Sequence, residues 1–242
     1  ATTVRSPGVR ALPPDFADKF QRMKAKLMGF INPDLALRRY PANDPSVPAR
    51  YARAIAFYQR GDLATALPLI DQLIAEEPKN PFFYELKGQV LMENARVAES
   101  LAPYRKSVAL LPESGLLQAA LSQALIESND ARVTDEAIGH LRQAMIQEGH
   151  SPFVWRLYAT AWSRKNNPGM VAYAMAEEAL ARNDKAMARS QAEKAEKLLP
   201  RGSPSWRCPC SRSSGSSRSG SGPTSASRTG RCARGSPAST PI

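Results

Sequence analysis

A spacing of 34 residues runs through the middle of this chain and constrains its fold more than any other feature. Pro78 and Pro112 lie 34 apart, Gly61 lies 17 before Pro78, Ala95 lies 17 before Pro112, and Asn183 lies 17 before Pro200. Turn formers and helix stops that alternate every half period describe a helix–turn–helix unit repeated along the chain. One such unit cannot bury both its apolar faces; stacked neighbours complete a continuous core, and about three units are needed. With 242 residues, 43% of them hydrophobic, the chain has the apolar material for this. Wholesale disorder is excluded.

With Val47 at the first position, Ala54 and Ala66 supply small residues where two helices meet, and Phe57 and Ile70 supply large ones beside them. Gly61 makes the turn and Pro78 the stop. The second unit starts at Pro81, with Tyr84, Gly88 and Leu91 in its first helix and Ser100, Tyr104 and Pro112 in its second. Ala95 stands at its turn in place of glycine, and Ser100 in place of alanine. A third unit starts near Gly115, with Leu121, Ser122, Leu125, Ala137, Leu141 and Ala144, and three extra residues in its turn around Asn129–Thr134. Trp155, Ala159 and Trp162 mark another first helix, and Gly169–Ala181 and Lys185–Leu199 two more. This wording resembles the tetratricopeptide repeat. The resemblance implies an all-α, right-handed superhelix of antiparallel helix pairs over residues 47–200, about four units and nine helices. The first helix of each pair would line its concave side.

Residues 1–46 read as an N-terminal amphipathic helix followed by a Pro-rich linker. Phe16, Phe20, Met23, Leu27 and Phe30 recur at helical spacing, with Lys19, Arg22, Lys24 and Lys26 between them. Pro13 and Pro14 precede this helix, and Asp15 is placed to cap it. A basic helix of this kind suits a membrane surface or a nucleic acid. The plainer reading, adopted here, is a helix packed through its apolar stripe with a solvated basic face.

Residues 201–242 differ in kind. Of these 42 residues, 31 are Ser, Gly, Pro or Arg, with no Lys, acid, Leu or Val. Such a segment cannot bury enough apolar area to offset chain entropy, so it is expected to be disordered. The abrupt change of alphabet suits a GC-rich gene translated out of frame; a neutral linker and an Arg/Ser-type RNA-binding tail are the other readings. The three cysteines, Cys208, Cys210 and Cys232, all fall here. Their spacing, with no nearby His, argues against a zinc site.

The net charge of +11 is unevenly distributed: +7 over residues 1–60, −3 over 61–200 and +7 over 201–242. The repeat body is therefore not a basic domain, and no nucleic acid partner is expected. The chain holds two histidines, His140 and His150, and no HExxH, phosphate-cradling glycine loop or Gly-x-Ser-x-Gly. The carboxylate pairs Glu76–Glu77 and Glu177–Glu178 read as solvation at helix ends and faces. No catalytic residue, metal ligand or cofactor is expected in this chain. No stretch is long and apolar enough to cross a membrane, and no signal peptide is visible.

A narrower resemblance lies in the run Phe20-Gln-Arg-Met-Lys-Ala-Lys-Leu-Met-Gly-Phe, in Leu37-Arg-Arg-Tyr and in Ala49-Arg-Tyr-Ala-Arg-Ala. Tyr84-Glu-Leu-Lys-Gly-Gln and Ala195-Glu-Lys-Leu-Leu-Pro-Arg-Gly-Ser-Pro continue it. Residues 11–204 resemble the region that follows the peptidase domain in BepA-like bacterial zinc metallopeptidases. The resemblance implies a periplasmic module of outer-membrane protein quality control. Its partners would be its own peptidase domain, outer-membrane proteins and their assembly machinery. Zinc is implied only for the peptidase domain, whose HExxH ligands this chain lacks. The chain itself is expected to be a non-catalytic protein-binding module. The alternatives are a part of an active endopeptidase when joined to that domain, or an RNA-binding adaptor acting through its basic ends.

In the repeat register, the concave positions of the first helices carry Tyr51, Tyr58, Gln59, Glu85, Gln89, Glu93, Gln123, Arg156 and Arg164. These are the candidate groove residues. Repeats that clamp a C-terminal carboxylate use Lys and Asn where this chain has Tyr51 and Ile55. A peptide or unfolded apolar segment is therefore the expected occupant.

Overall fold

The computed structural model describes Pro13 and residues 15–200; the expectations placed on the 201–242 tail and its cysteines lie outside the described residues. The described residues form eleven α-helices: α1 (Phe16–Ile31), α2 (Pro33–Arg39), α3 (Val47–Gln59), α4 (Leu63–Glu76), α5 (Pro81–Glu93), α6 (Val97–Leu110), α7 (Gly115–Glu127), α8 (Thr134–Glu148), α9 (Pro152–Arg164), α10 (Pro168–Ala181) and α11 (Lys185–Leu198). A single 3₁₀ turn, Ala131–Val133, precedes α8. It is made by the three extra residues of the third unit.

Helices α3/α4, α5/α6, α7/α8 and α9/α10 pack as hairpins. The first helix of each ends at a residue of positive φ: Gly61 at 77°, Ala95 at 61°, Asn129 at 55° and Asn166 at 51°. Glycine and asparagine accept this left-handed conformation most readily. The residue that follows tends to be a cap. Asp62 accepts from the Thr65 amide and Asn167 from the Met170 amide, both at 3.0 Å. Asp130 starts the 3₁₀ turn, accepting from the Arg132 amide at 2.9 Å. These bonds satisfy amides that a helix start leaves unpaired. The pair Ala95–Arg96 departs from the pattern, and Arg96 makes no side-chain cap bond.

The half-period recurs once more at the C-terminal end. Asn183 has φ 60°, and Asp184 accepts from the Met187 amide at 3.0 Å. Helix α10 thus ends as a first helix ends, and it packs extensively on both α9 and α11. It closes one hairpin and opens the next, and α11 covers its far side.

The core follows the repeat register. Ala54, Ala66 and Ile70 are fully buried in the N-terminal half, as are Ser122, Ala137 and Ala144 further on. Buried Ser100 satisfies its hydroxyl by donating to the Val97 carbonyl at 2.7 Å, which is how serine replaces alanine there. His140 lies on α8 with Nδ1 2.6 Å from Gln118 Oε1.

Helix α1 forms where the periodicity places it but packs through the opposite face. Its buried residues are Ala25 and Gly29, which lie against α3. A Cβ on Gly29 would come within 2.9 Å of the Ile55 side chain and 3.0 Å of the Ala52 carbonyl. Such close approach selects small residues. Phe16, Phe20, Met23, Leu27 and Ile31 remain exposed, Leu27 at 52%. Phe30 alone of the apolar stripe turns inward, edge-on to Tyr58 at 6.3 Å between ring centroids. The expected solvated basic face is instead partly engaged: Arg22 donates to Glu77 at 2.6 Å and Lys26 to Glu85 at 3.5 Å. Asp15 precedes α1 but makes no cap bond, pairing with Lys19 at 2.5 Å.

Candidate protein-binding face

The first helices α3, α5, α7 and α9 form one layer. Tyr51 on α3 meets Phe83 on α5 edge-on at 5.3 Å, and α7 packs against both α5 and α9. Four of the expected residues make polar contacts on this layer, in two groups. Tyr58 donates its hydroxyl to Glu93, and Gln89 donates to the other Glu93 oxygen at 2.9 Å. Gln123 donates to Glu127 at 2.7 Å. Glu127 completes the set although the candidate residues omit it. The signal was present, since Glu127 follows Glu93 by 34 residues.

These carboxylates concentrate negative charge. Burial, followed by the charge on Glu127, raises the Glu93 carboxyl above its ordinary value. Burial first, then Glu85, Glu93 and Glu127, pushes the Tyr104 hydroxyl far up. Lys26 of α1 lies against Glu85, whereas neither Glu93 nor Glu127 has an ion pair among the described residues. Exposed carboxylates without a counter-charge attract cationic or N–H donor groups.

The other expected residues fall into different roles. Tyr51 and Tyr58 are 4% and 7% exposed, Tyr51 packed edge-on against Phe83 and Tyr58 against Phe30, so neither is an open groove side chain. Gln59 and Arg164 are exposed at the ends of α3 and α9. Arg156 is exposed, yet its guanidinium is bound to Glu178 of α10 at 2.8 Å. The paired carboxylates are more than solvation: Glu76 meets Arg50, Glu77 meets Arg22, and Glu178 meets Arg156 and Arg182. They tie neighbouring elements together. Among the described residues no three His, Cys, Asp or Glu side chains are grouped to hold a metal ion. Nor is any described helix long and apolar enough to cross a membrane.

No family model matches this chain, and no curated protein matches it. Solved structures do. YrrB, described as a TPR protein with an unusual peptide-binding site, is similar with a TM-score of 0.55 at 15% identity, over 74% of this chain and 91% of that one. A structure described as MamA MSR-1 C2 is similar with a TM-score of 0.50 at 17% identity, over 75% of this chain and 99% of that one. At such identity the likeness concerns the fold alone. The described residues carry the tetratricopeptide-repeat fold, an all-α superhelix of antiparallel helix pairs.

Proposed function

We propose that this chain is a non-catalytic protein-interaction module that holds a polypeptide segment across the layer α3–α5–α7–α9. The observation that carries this reading is the exposed carboxylates Glu93 on α5 and Glu127 one repeat later on α7, each turned to by a glutamine amide and neither met by a cation among the described residues. A segment rich in Lys, Arg or free amide donors supplies the missing charge. Gln89 and Gln123, which now donate to these carboxylates, can turn to backbone groups of the incoming segment. The peptide-binding site that YrrB's description names belongs to that protein, but the shared fold supports looking for one here. The test is a phage-displayed random peptide library panned on the full chain. Enriched sequences are expected to carry Lys or Arg, and to bind the Glu93→Gln, Glu127→Gln variant about tenfold more weakly at low salt. Peptides indifferent to both replacements would overturn the reading.

The wider setting rests on the linker wording between Phe20 and Tyr40. It supports a module of a periplasmic, BepA-like zinc metalloendopeptidase acting on outer-membrane proteins and their assembly machinery. No donor set for zinc is grouped among the described residues, so no catalytic step is assigned to this chain. Sequencing the encoding DNA upstream tests the setting. An HExxH-bearing domain is expected there, and a clean start without one removes it.

A further inference from the structure

Helix α1 leaves most of its apolar stripe in water. Phe16, Phe20, Met23, Leu27 and Ile31 follow one another at spacings of four, three, four and four residues, and Leu35 of α2 continues the row. All six are exposed, from 40% at Leu35 to 78% at Ile31. At about half exposure each, six such side chains leave on the order of 500 Å² of apolar surface uncovered. One partner's share of a standard interface is about 800 Å², about 60% of it apolar, so the row matches the apolar part of a stable contact. Spacings of three and four are the seam along which one helix seats another. Leu27, Ile31 and Leu35 line a groove of about 460 Å³ where such a helix can place its side chains.

The charge around the groove selects among occupants. Lys19, Arg22 and Lys26 of α1 are already met by Asp15, by Asp18 with Glu77, and by Glu85. Lys24, which also lines the groove, has no ion pair among the described residues. Arg38 and Arg39 are exposed, three and four residues after Leu35 and so on its face of α2, and they too have none. Among the described residues no acidic side chain lines the groove, and Asp34 of α2 pairs with Arg60 at 3.7 Å. Three uncompensated cations beside an apolar row fit an apolar partner that carries negative charge. The chain's own outlying segments do not supply one: residues 1–12 hold Arg5 and Arg10, residues 201–242 hold seven Arg, and neither holds an acid. A second copy presents the same three cations and is repelled. An anionic bilayer is flat where the groove is recessed, and it would meet Asp15, Asp18 and Asp34, each more than half exposed.

We infer that the row on α1 and α2 is a docking surface for an amphipathic helix of another protein, one whose apolar stripe is flanked by Asp or Glu. Its apolar side chains seat against Leu27, Ile31 and Leu35, and its carboxylates meet Lys24, Arg38 and Arg39. This surface is separate from Glu93 and Glu127 and takes the opposite charge, so one chain can join two unlike partners.

The probe is a fluorescently labelled synthetic helix of about 21 residues, three heptads with Leu along one stripe and Glu on both sides, read by anisotropy with the full chain. A dissociation constant of about 20 μM is expected at about 50 mM salt, and about tenfold weaker binding when Gln replaces every Glu. Phe20→Ser with Leu27→Ser, at exposed positions that leave the fold intact, weakens both peptides at least about tenfold. Lys24→Gln with Arg38→Gln and Arg39→Gln breaks no ion pair among the described residues. It lowers the affinity of the Glu peptide to that of the Gln peptide and leaves the Gln peptide unchanged. A merely adhesive apolar patch would show the serine effect without this one. Equal binding of the two peptides by the wild type, equal loss of both on removing the cations, or no binding up to about 500 μM overturns the inference. So does capture by phosphatidylglycerol vesicles with no peptide binding, which identifies a lipid surface. Sedimentation as a dimer that the serine pair abolishes also overturns it and identifies a second copy. The Glu93→Gln, Glu127→Gln variant is expected to bind the probe as the wild type does, so either surface can fail while the other stands.

Discussion

Gly88 on α5 lies directly against the ring of Tyr104 on α6: a Cβ at Gly88 would come within 2.8 Å of the ring's Cγ and Cδ2. Tyr104 is buried and belongs to the larger core cluster. Its ring fills the space a side chain at Gly88 would need. Gly88→Ala must therefore displace a buried ring or separate the two helices. We expect a loss of about 2 kcal/mol, in the range of overpacked cores. Urea unfolding measures it, and the double variant Gly88→Ala, Tyr104→Leu is expected to recover part of the loss.

Ala95 holds a left-handed conformation at φ 61° where the equivalent turn has Gly61. A Cβ in this region costs about 1 kcal/mol. Ala95→Gly is expected to raise the melting temperature by about 2–4 °C, read by calorimetry. The neighbouring Arg96→Asp introduces the absent cap and contributes about 1 kcal/mol, set against the loss of the exposed pair with Glu99.

Acid and base act oppositely on two carboxyls. A hydrogen bond from Arg22 is the main cause holding Glu77 below the ordinary carboxylate value. Its contribution is present above the unfolded pKa and is lost as pH falls through the folded one. Glu93 is raised, chiefly by burial. The unfolded chain gives up that proton first, so Glu93 erodes stability as pH rises from the ordinary carboxylate range through its folded pKa. Denaturation of the wild type against Glu77→Gln and Glu93→Gln, from about pH 3 to pH 7, separates the two. The Glu77 variant is expected to fall further behind the wild type as pH rises, and the Glu93 variant to gain on it.

The two faces of α1 should respond unequally to substitution. Phe20 and Leu27 are exposed, so Phe20→Ser with Leu27→Ser changes stability by less than about 0.5 kcal/mol. Gly29→Leu meets Ile55 and the Ala52 carbonyl, costs about 2 kcal/mol and loosens α1 from α3. Hydrogen exchange at the α1 amides checks both. Protection should persist in the serine variant and fall in the leucine variant.

The helical hairpins were legible because their signals are local. Gly61 and Asn183 mark turns through backbone sterics, and Asp62 and Asp184 mark caps through hydrogen bonds to residues three further on. Ala54, Ala66 and Ile70 mark close approach and filling within one hairpin. The 34-residue spacing repeats these signals, and the same spacing leads from Glu93 to Glu127.

The apolar stripe of α1 misled because periodicity measures which side chains avoid water, not which surface fits a neighbour. Gly29 and Ala25 let the α1 backbone approach Ile55 and Ala52 closely, a contact the larger Phe20 and Leu27 cannot make. Likewise, the repeat register marks Tyr51 and Tyr58 as groove positions, but Phe83 of α5 packs on the first and Phe30 of α1 on the second, each more than twenty residues away in the chain. Linear order specified the repeating hairpin, since its turns, caps and close contacts join residues near one another. The face α1 buries, the unpaired hydroxyl of Tyr51 and the uncompensated charges of Glu93 and Glu127 arise between separate helices, and packing distances in three dimensions set them.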